Sequence, residues 1–162
     1  MIDRMTTGPL ILVGSSMGGW IACLAALSRA ERVAGMVLIA PAPDFTEKLL
    51  KPTLPPQALA ALAQTGEWLA PSDYDDPLPI TRGLLEDGAR WSILDAPVGI
   101  KAPVRILQGG DDPDVPWAHA LHLAMAIETK DVTYTLIRDG DHRLSRPQDL
   151  ERLIDAVEDL SL

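Results

Sequence analysis

Residues 10–19 read Leu10-Ile11-Leu12-Val13-Gly14-Ser15-Ser16-Met17-Gly18-Gly19, an apolar run that breaks straight into Gly-x-Ser-x-Gly around Ser16. This is the order of residues in a strand that turns sharply into a helix and lifts a serine hydroxyl clear of the sheet. Leu10–Val13 is apolar on both faces, as a strand inside a sheet covered on both sides must be. Gly14 and Gly18 are expected to remove Cβ atoms that would collide as strand and helix close on each other. Trp20–Leu27 (Trp-Ile-Ala-Cys-Leu-Ala-Ala-Leu) is an Ala-rich helix former. The free N–H groups that open this helix, Met17 first among them, direct positive charge to the place where negative charge develops in acyl transfer. Bare, the five-residue pattern is common in Gly/Ser loops. Between a strand and a helix, it makes Ser16 a nucleophile candidate.

The chain has 162 residues, enough to bury one core. With 47% hydrophobic and 23% charged residues it has the composition of a folded globular domain, not of a disordered chain. A formal net charge of −9, spread along the chain, disfavours nucleic acid or an anionic membrane surface as partner. Cys23 is the single cysteine and cannot form an internal disulfide; it reads as a core residue in a reducing compartment, and a cytoplasmic location is expected. The N-terminus carries Asp3 and Arg4 ahead of a short apolar run, which is not the pattern of a signal peptide. No stretch approaches the roughly 20 apolar residues of a membrane span.

Four apolar runs predict buried parallel strands: Leu10–Gly14, Val33–Ala40, Val104–Gly109 and Val132–Ile137. Helical stretches alternate with them at Gly18–Ser28, Trp117–Thr129 and Pro147–Leu160, the last with an apolar stripe of Leu150, Leu153, Ile154 and Val157. Strands alternating with helices imply an α/β fold with a parallel sheet, whose sites form at the carboxyl ends of the strands. The stretch from Pro41 to Pro97 differs. It holds eight of the 14 prolines between Pro41 and Pro79, a pattern expected to exclude sheet and any long helix. It also holds Trp68, Tyr74 and Trp91, with short helical pieces at Gln57–Gln64 and Ile80–Gly88. We expect residues 42–97 to be a helical cap inserted in a single domain, 1–162, and to supply apolar surface to a substrate, because loops this long are usually functional.

A serine nucleophile needs a base and a group that orients the base. His119 and His122 lie three apart on a predicted helix, a spacing open to a metal pair; with no third ligand at a convincing spacing, no metal site is expected. His142 follows the last predicted strand through Arg138-Asp139-Gly140-Asp141, where the carboxyl edge of the sheet would place a base for Ser16. The acid belongs after Val104–Leu107, where Gln108-Gly109-Gly110-Asp111-Asp112-Pro113-Asp114-Val115-Pro116-Trp117 offers three aspartates. Spacing alone leaves the three open.

Ser16, then an aspartate, then His142 is the chain order of the α/β-hydrolase triad, and the chain resembles that superfamily from Leu10 to Leu160. The turn at 109–116 resembles the family's Gly-x-x-Asp-x-x-Val-Pro signature, which selects Asp112 between Gly109 and Val115. Gly-Ser-Ser-Met-Gly-Gly-Trp, Asp-Val-Pro-Trp and Asp-His-Arg-Leu are similar to one branch, that of palmitoyl-protein thioesterase and acyl-glucuronide esterase with bacterial relatives. The resemblance implies a serine hydrolase of esters or thioesters, with catalytic Ser16, Asp112 and His142, Met17 N–H as an oxyanion donor, and no cofactor. It implies a small-molecule partner with an apolar acyl or aryl group, for which Trp68, Trp91 and Trp117 are the candidate binding residues.

In that family several strands precede the nucleophile strand, and a loop after one of them gives the second oxyanion donor. Met1–Gly8 is expected to have room only for the tail of the helix that would precede the nucleophile strand. Two expectations follow: a partial hydrolase sheet whose turnover is impaired, leaving at the limit a binding or assembly module, and an apolar edge strand at Leu10–Gly14 through which copies self-associate. Losing an oxyanion donor typically costs about 10²–10³ in rate.

Overall fold

The computed structural model describes residues 2–71 and 77–161. In chain order its main elements are α1 (Ile2–Met5), β1 (Leu10–Ser15), α2 (Met17–Ser28), β2 (Val33–Ile39), α3 (Pro56–Gln64), β3 (Glu67–Ala70), β4 (Leu78–Thr81), α4 (Arg82–Arg90), β5 (Val104–Gly109), α5 (Trp117–Ala126), β6 (Val132–Ile137) and α6 (Pro147–Asp159). The chain forms two compact units, Met1–Pro43 with Ile93–Leu162, and Asp44–Ser92.

The first unit is built on the four predicted strands, which pair in parallel in the order β1-β2-β5-β6. Their alternation sorts side chains into two layers. Met36 and Leu38 of β2 and Val104 and Ile106 of β5 pack on one face with Ala22, Cys23 and Ala26 of α2 and with Ala120 and Leu123 of α5. On the other face Ile39, Leu107 and Ile137 pack with Leu144 and Leu153, the latter from α6. Helices on both faces explain why the strands read as continuous apolar runs. All four carboxyl ends lie on one edge, because every pairing is parallel.

β1 pairs with β2 on one side only and forms an edge of the sheet, as the sequence predicts. Its Val13 is 52% exposed and lines, with Leu153, Ile154, Val157 and Glu158, an apolar groove of about 420 Å³. The expected apolar stripe of α6 is therefore only partly buried. Leu150 and Ile154 are exposed, while Asp149 in the same helix is buried. α5 also ends earlier than predicted, at Ala126, because Ile127 leaves the helix to form a parallel bridge with Val98.

The second unit has its own small core, in which Ala58 and Leu62 of α3 meet Leu54 and Ile80, with Trp68 and Leu85 beside them. Here the structure corrects the sequence: β3 and β4 form an antiparallel hairpin with Trp68 opposite Ile80 and Leu69 opposite Pro79. Proline is compatible with a strand whose outer side is unpaired, and in a two-stranded sheet every strand has one. The helix expected at Ile80–Gly88 consequently starts later, at Arg82, with Thr81 Oγ1 accepting the Leu84 N–H at 3.1 Å as its cap. The unit's bounds fall inside the predicted 42–97, and Tyr74 lies outside the described residues.

Candidate active site

Ser16 stands between β1 and α2 at φ 53° and ψ −123°, a conformation that an L-residue adopts only under constraint. The constraint is visible. Its N–H donates to Ile39 O at 2.9 Å, and its carbonyl accepts from Gly19 N (2.9 Å) and Ala42 N (3.1 Å). A Cβ on Gly14 would meet Gly18 O at 2.4 Å, and one on Gly19 would meet Pro41 Cβ at 2.9 Å. A Cβ on Gly18 would meet nothing within 4 Å outside its own helix backbone. The glycines that close approach demands are Gly14 and Gly19, not Gly14 and Gly18. Met17 opens α2, so its N–H is among the free donors of the first turn.

Asp112 and His142 follow β5 and β6 at the same edge and are joined: His142 Nδ1 lies 2.9 Å from Asp112 Oδ2 and 3.1 Å from Oδ1. The His142 side chain is 21% exposed and that of Asp112 is 0% exposed, so the ring can meet a solute while the carboxylate cannot. Asp112 Oδ1 also accepts the Asp114 and Val115 N–H groups, each at 2.9 Å, and Oδ2 accepts Gln108 Nε2 at 3.0 Å. With donors converging on Asp112 from the other side, Nδ1 is the donor in its contact with the carboxylate, which leaves Nε2 of a neutral ring as the acceptor.

The two loops are tightly fitted. Gly110 N–H donates to Ile137 O at 2.7 Å and Asp111 N–H to Gly140 O at 3.0 Å, and a Cβ on Gly109 would meet the Gly140 and Asp141 carbonyl oxygens at 2.4 Å. Asp141 Oδ1 caps the turn by accepting the Arg143 and Leu144 N–H groups at 3.1 and 2.8 Å. Leu144 reaches its buried place between the strand ends at φ 45°. Ser15, Arg143 and Leu144, which adjoin Ser16 and His142 in sequence, line one cavity of about 150 Å³ with Ile39 and Leu107. Arg146 clasps the stems of the His142 loop: Nη1 donates to Asp139 Oδ2 at 2.7 Å and Nε to the buried Asp149 Oδ2 at 2.6 Å. These hydrogen bonds from the guanidinium hold both carboxyls below their ordinary range.

Sequence reasoning did not single out Gln108, Arg146 or Asp149. A polar residue near the end of the strand Val104-Arg105-Ile106-Leu107 was the available signal for the first; the helix N-cap position of Arg146 and the first-turn position of Asp149 gave none for the others. Of the candidate binding residues, Trp68 packs into the core of the second unit, and Trp91 and Trp117 are 55% and 48% exposed. His119 Nε2 is 2.8 Å from Pro43 O, a contact that occupies one nitrogen of the His119–His122 pair, for which no metal was expected. Among the described residues Asp112, Asp114 and His142 bring ligand atoms within 4.8 Å of one another, but the Asp112–His142 hydrogen bond and the Asp112 turn account for that cluster. No helix of the described residues is long and apolar enough to cross a membrane.

The family model Hydrolase_4, described as serine aminopeptidase, S33, matches residues 1–83. Mitochondrial palmitoyl-protein thioesterase ABHD10 of Mus musculus is 35% identical over 99% of this chain, and that of Homo sapiens 30% over 99%. The chain spans about half the length of these curated relatives, 54% and 53%. A crystal structure from Agrobacterium vitis S4 assigned to the hydrolases superposes with TM-score 0.94 at 45% identity, covering 98% of this chain and 63% of that one. Mouse alpha/beta hydrolase domain-containing protein 10 superposes with TM-score 0.86 at 34% identity, covering 98% and 64%. The sheet, the elbow and these likenesses together show that the chain belongs to the α/β hydrolases, in the branch that resembles palmitoyl-protein thioesterase.

Proposed function

We propose that the chain is a serine hydrolase that cleaves carboxylic esters or thioesters through an acyl-enzyme, using Ser16, Asp112 and His142. The observation that carries this reading is the buried Asp112 carboxylate hydrogen-bonded to a partly exposed His142, on the same sheet edge as a serine held at positive φ. In the mechanism Ser16 Oγ attacks the substrate carbonyl carbon while His142 Nε2 takes the hydroxyl proton. Asp112 holds the ring's tautomer and stabilises the imidazolium. The Met17 N–H donates to the oxyanion, and collapse expels the alcohol or thiol, which takes the proton from His142. Water then repeats the sequence on the acyl-enzyme and releases the acid.

The names of the relatives support a thioester with an apolar acyl group, and the second unit, Asp44–Ser92, is the candidate cap. A fluorophosphonate probe tests the reading directly. Ser16 should label, and Ser16→Ala and His142→Ala should not; a folded chain that fails to label rejects it. A panel of p-nitrophenyl esters and acyl-CoA thioesters then sorts the substrates. The unpaired outer side of β1, with Val13 exposed, favours a second reading in which copies of the chain pair through residues 10–14. Sedimentation distinguishes a dimer from a monomer whatever the labelling gives.

A further inference from the structure

Gln108 is the penultimate residue of β5 and is completely buried. Its Nε2 lies 3.0 Å from Asp112 Oδ2, 3.0 Å from Val115 O and 3.2 Å from Gly109 O. Its Oε1 is buried with no hydrogen-bond partner among the described residues. Turning the amide over would bring Oε1 against three oxygen acceptors, so the contacts themselves fix which end faces the carboxylate.

We propose that Gln108 is a positioning residue for the triad, its buried carboxamide fixing the Asp112 carboxylate and through it the His142 ring. This rests on the triad reading above. The two oxygens of Asp112 are held differently. Oδ1 sits on two backbone N–H groups of its own turn. Among the described residues Oδ2 is held by Gln108 and His142. Without the amide, the carboxylate is anchored at one oxygen and its plane is set by the histidine it is meant to orient. With the amide, one N–H goes to Oδ2 and the other to Val115 O, so a single rigid group spans the turn from 112 to 115 and fixes that plane from behind. Space alone does not require this residue: methionine or leucine would fill comparable volume without the orphaned Oε1, but would take a donor from Asp112 Oδ2 and Val115 O. An amide that gives one donor to the triad's acid and the other to the turn that carries it, at the expense of its own oxygen, is placed there for the acid.

The test uses the complete chain with Gln108→Met and, for matched shape, Gln108→Glu. The His142 ring is titrated by NMR, a readout that needs no turnover, alongside the thermal midpoint and the kinetics of a p-nitrophenyl ester. A carboxylate that has lost a donor holds the imidazolium more strongly, so His142 should titrate higher by roughly half a pH unit in Gln108→Met. In Gln108→Glu the rise should be larger once the new carboxylate ionises. kcat should fall about tenfold with KM unchanged, and the acidic limb of kcat/KM should move up in step with the ring. In the unmodified chain the Gln108 side-chain N–H resonances should shift as His142 titrates. A His142 titration unmoved in folded variants, or Gln108 resonances indifferent to it, overturns the proposal, as does loss of kcat explained wholly by a fallen midpoint. If Ser16 fails to label in the unmodified chain while His142 still responds to residue 108, the hydrolase reading fails and the positioning role stands.

Discussion

At residue 16 the backbone holds a serine at φ 53° and ψ −123°, a local cost of order 1–3 kcal/mol that surrounding hydrogen bonds and packing sustain. Glycine carries no such penalty. Ser16→Gly should therefore unfold at higher denaturant concentration than Ser16→Ala while being equally unable to label with fluorophosphonate; equal midpoints would mean that the turn is unstrained. The neighbouring glycines separate as cleanly. Gly14→Ala should disrupt the elbow, since its Cβ would stand 2.4 Å from a backbone oxygen, whereas Gly18→Ala meets open space inside α2 and should gain about 0.5–1 kcal/mol in urea unfolding. The Gly-x-Ser-x-Gly pattern identified the serine but assigned one glycine wrongly. A pattern records identity along the chain, while the requirement for no Cβ comes from Pro41 and from the helix backbone, which are set by the fold.

At the level of elements, the clasp of Arg146 on Asp139 and Asp149 ties the end of β6 to the start of α6 and so encloses the His142 loop. Both carboxyls are held below their ordinary range in the folded chain. A lowered folded pKa stabilises above the unfolded value, about 3.9 for aspartate, and that contribution is lost as pH falls through the folded values. Arg146→Met should accordingly lower the thermal midpoint at pH 7, and the gap from the unmodified chain should narrow as pH falls below about 4. A gap independent of pH would assign the loss to packing alone. The four strands were legible because helices lie over both faces of the sheet and make its strands mostly apolar, most fully in β2, although Val13 of β1 and Leu136 of β6 are exposed on the outer strands. The β3–β4 hairpin was not. Its prolines argue against a central strand, and nothing local announces that a strand will have only one neighbour. Asp149 was equally silent, since the guanidinium that pairs with it belongs to Arg146, which lies before the helix and reaches forward into its first turn.

Over the whole molecule, a sheet that ends at β1 leaves backbone groups unpaired along an apolar strand, with the Val13–Ile154–Val157 groove beside it. Placing a charge there should block association between copies without touching the site. Val13→Lys is expected to sediment as a monomer at concentrations where the unmodified chain does not, and an unchanged profile would move the contact elsewhere. Sequence reasoning reached this edge through the family resemblance, in which strands precede the nucleophile strand; the alternation of elements alone does not give strand order. It did not find how the second unit closes on its own small core, because Trp68 is equally at home in a core or against a substrate. The open edge also sets copies of the chain against their own charge. Each carries a formal −9, a long-range repulsion that acts before any strand can pair. Ionic strength weakens the first and leaves the second, since the screening length contracts from about 30 Å at 0.01 M salt to about 8 Å at 0.15 M. If copies pair through this edge as proposed, light scattering should find the chain best dispersed in dilute buffer and increasingly associated as salt is added, and a profile indifferent to salt would count against pairing there.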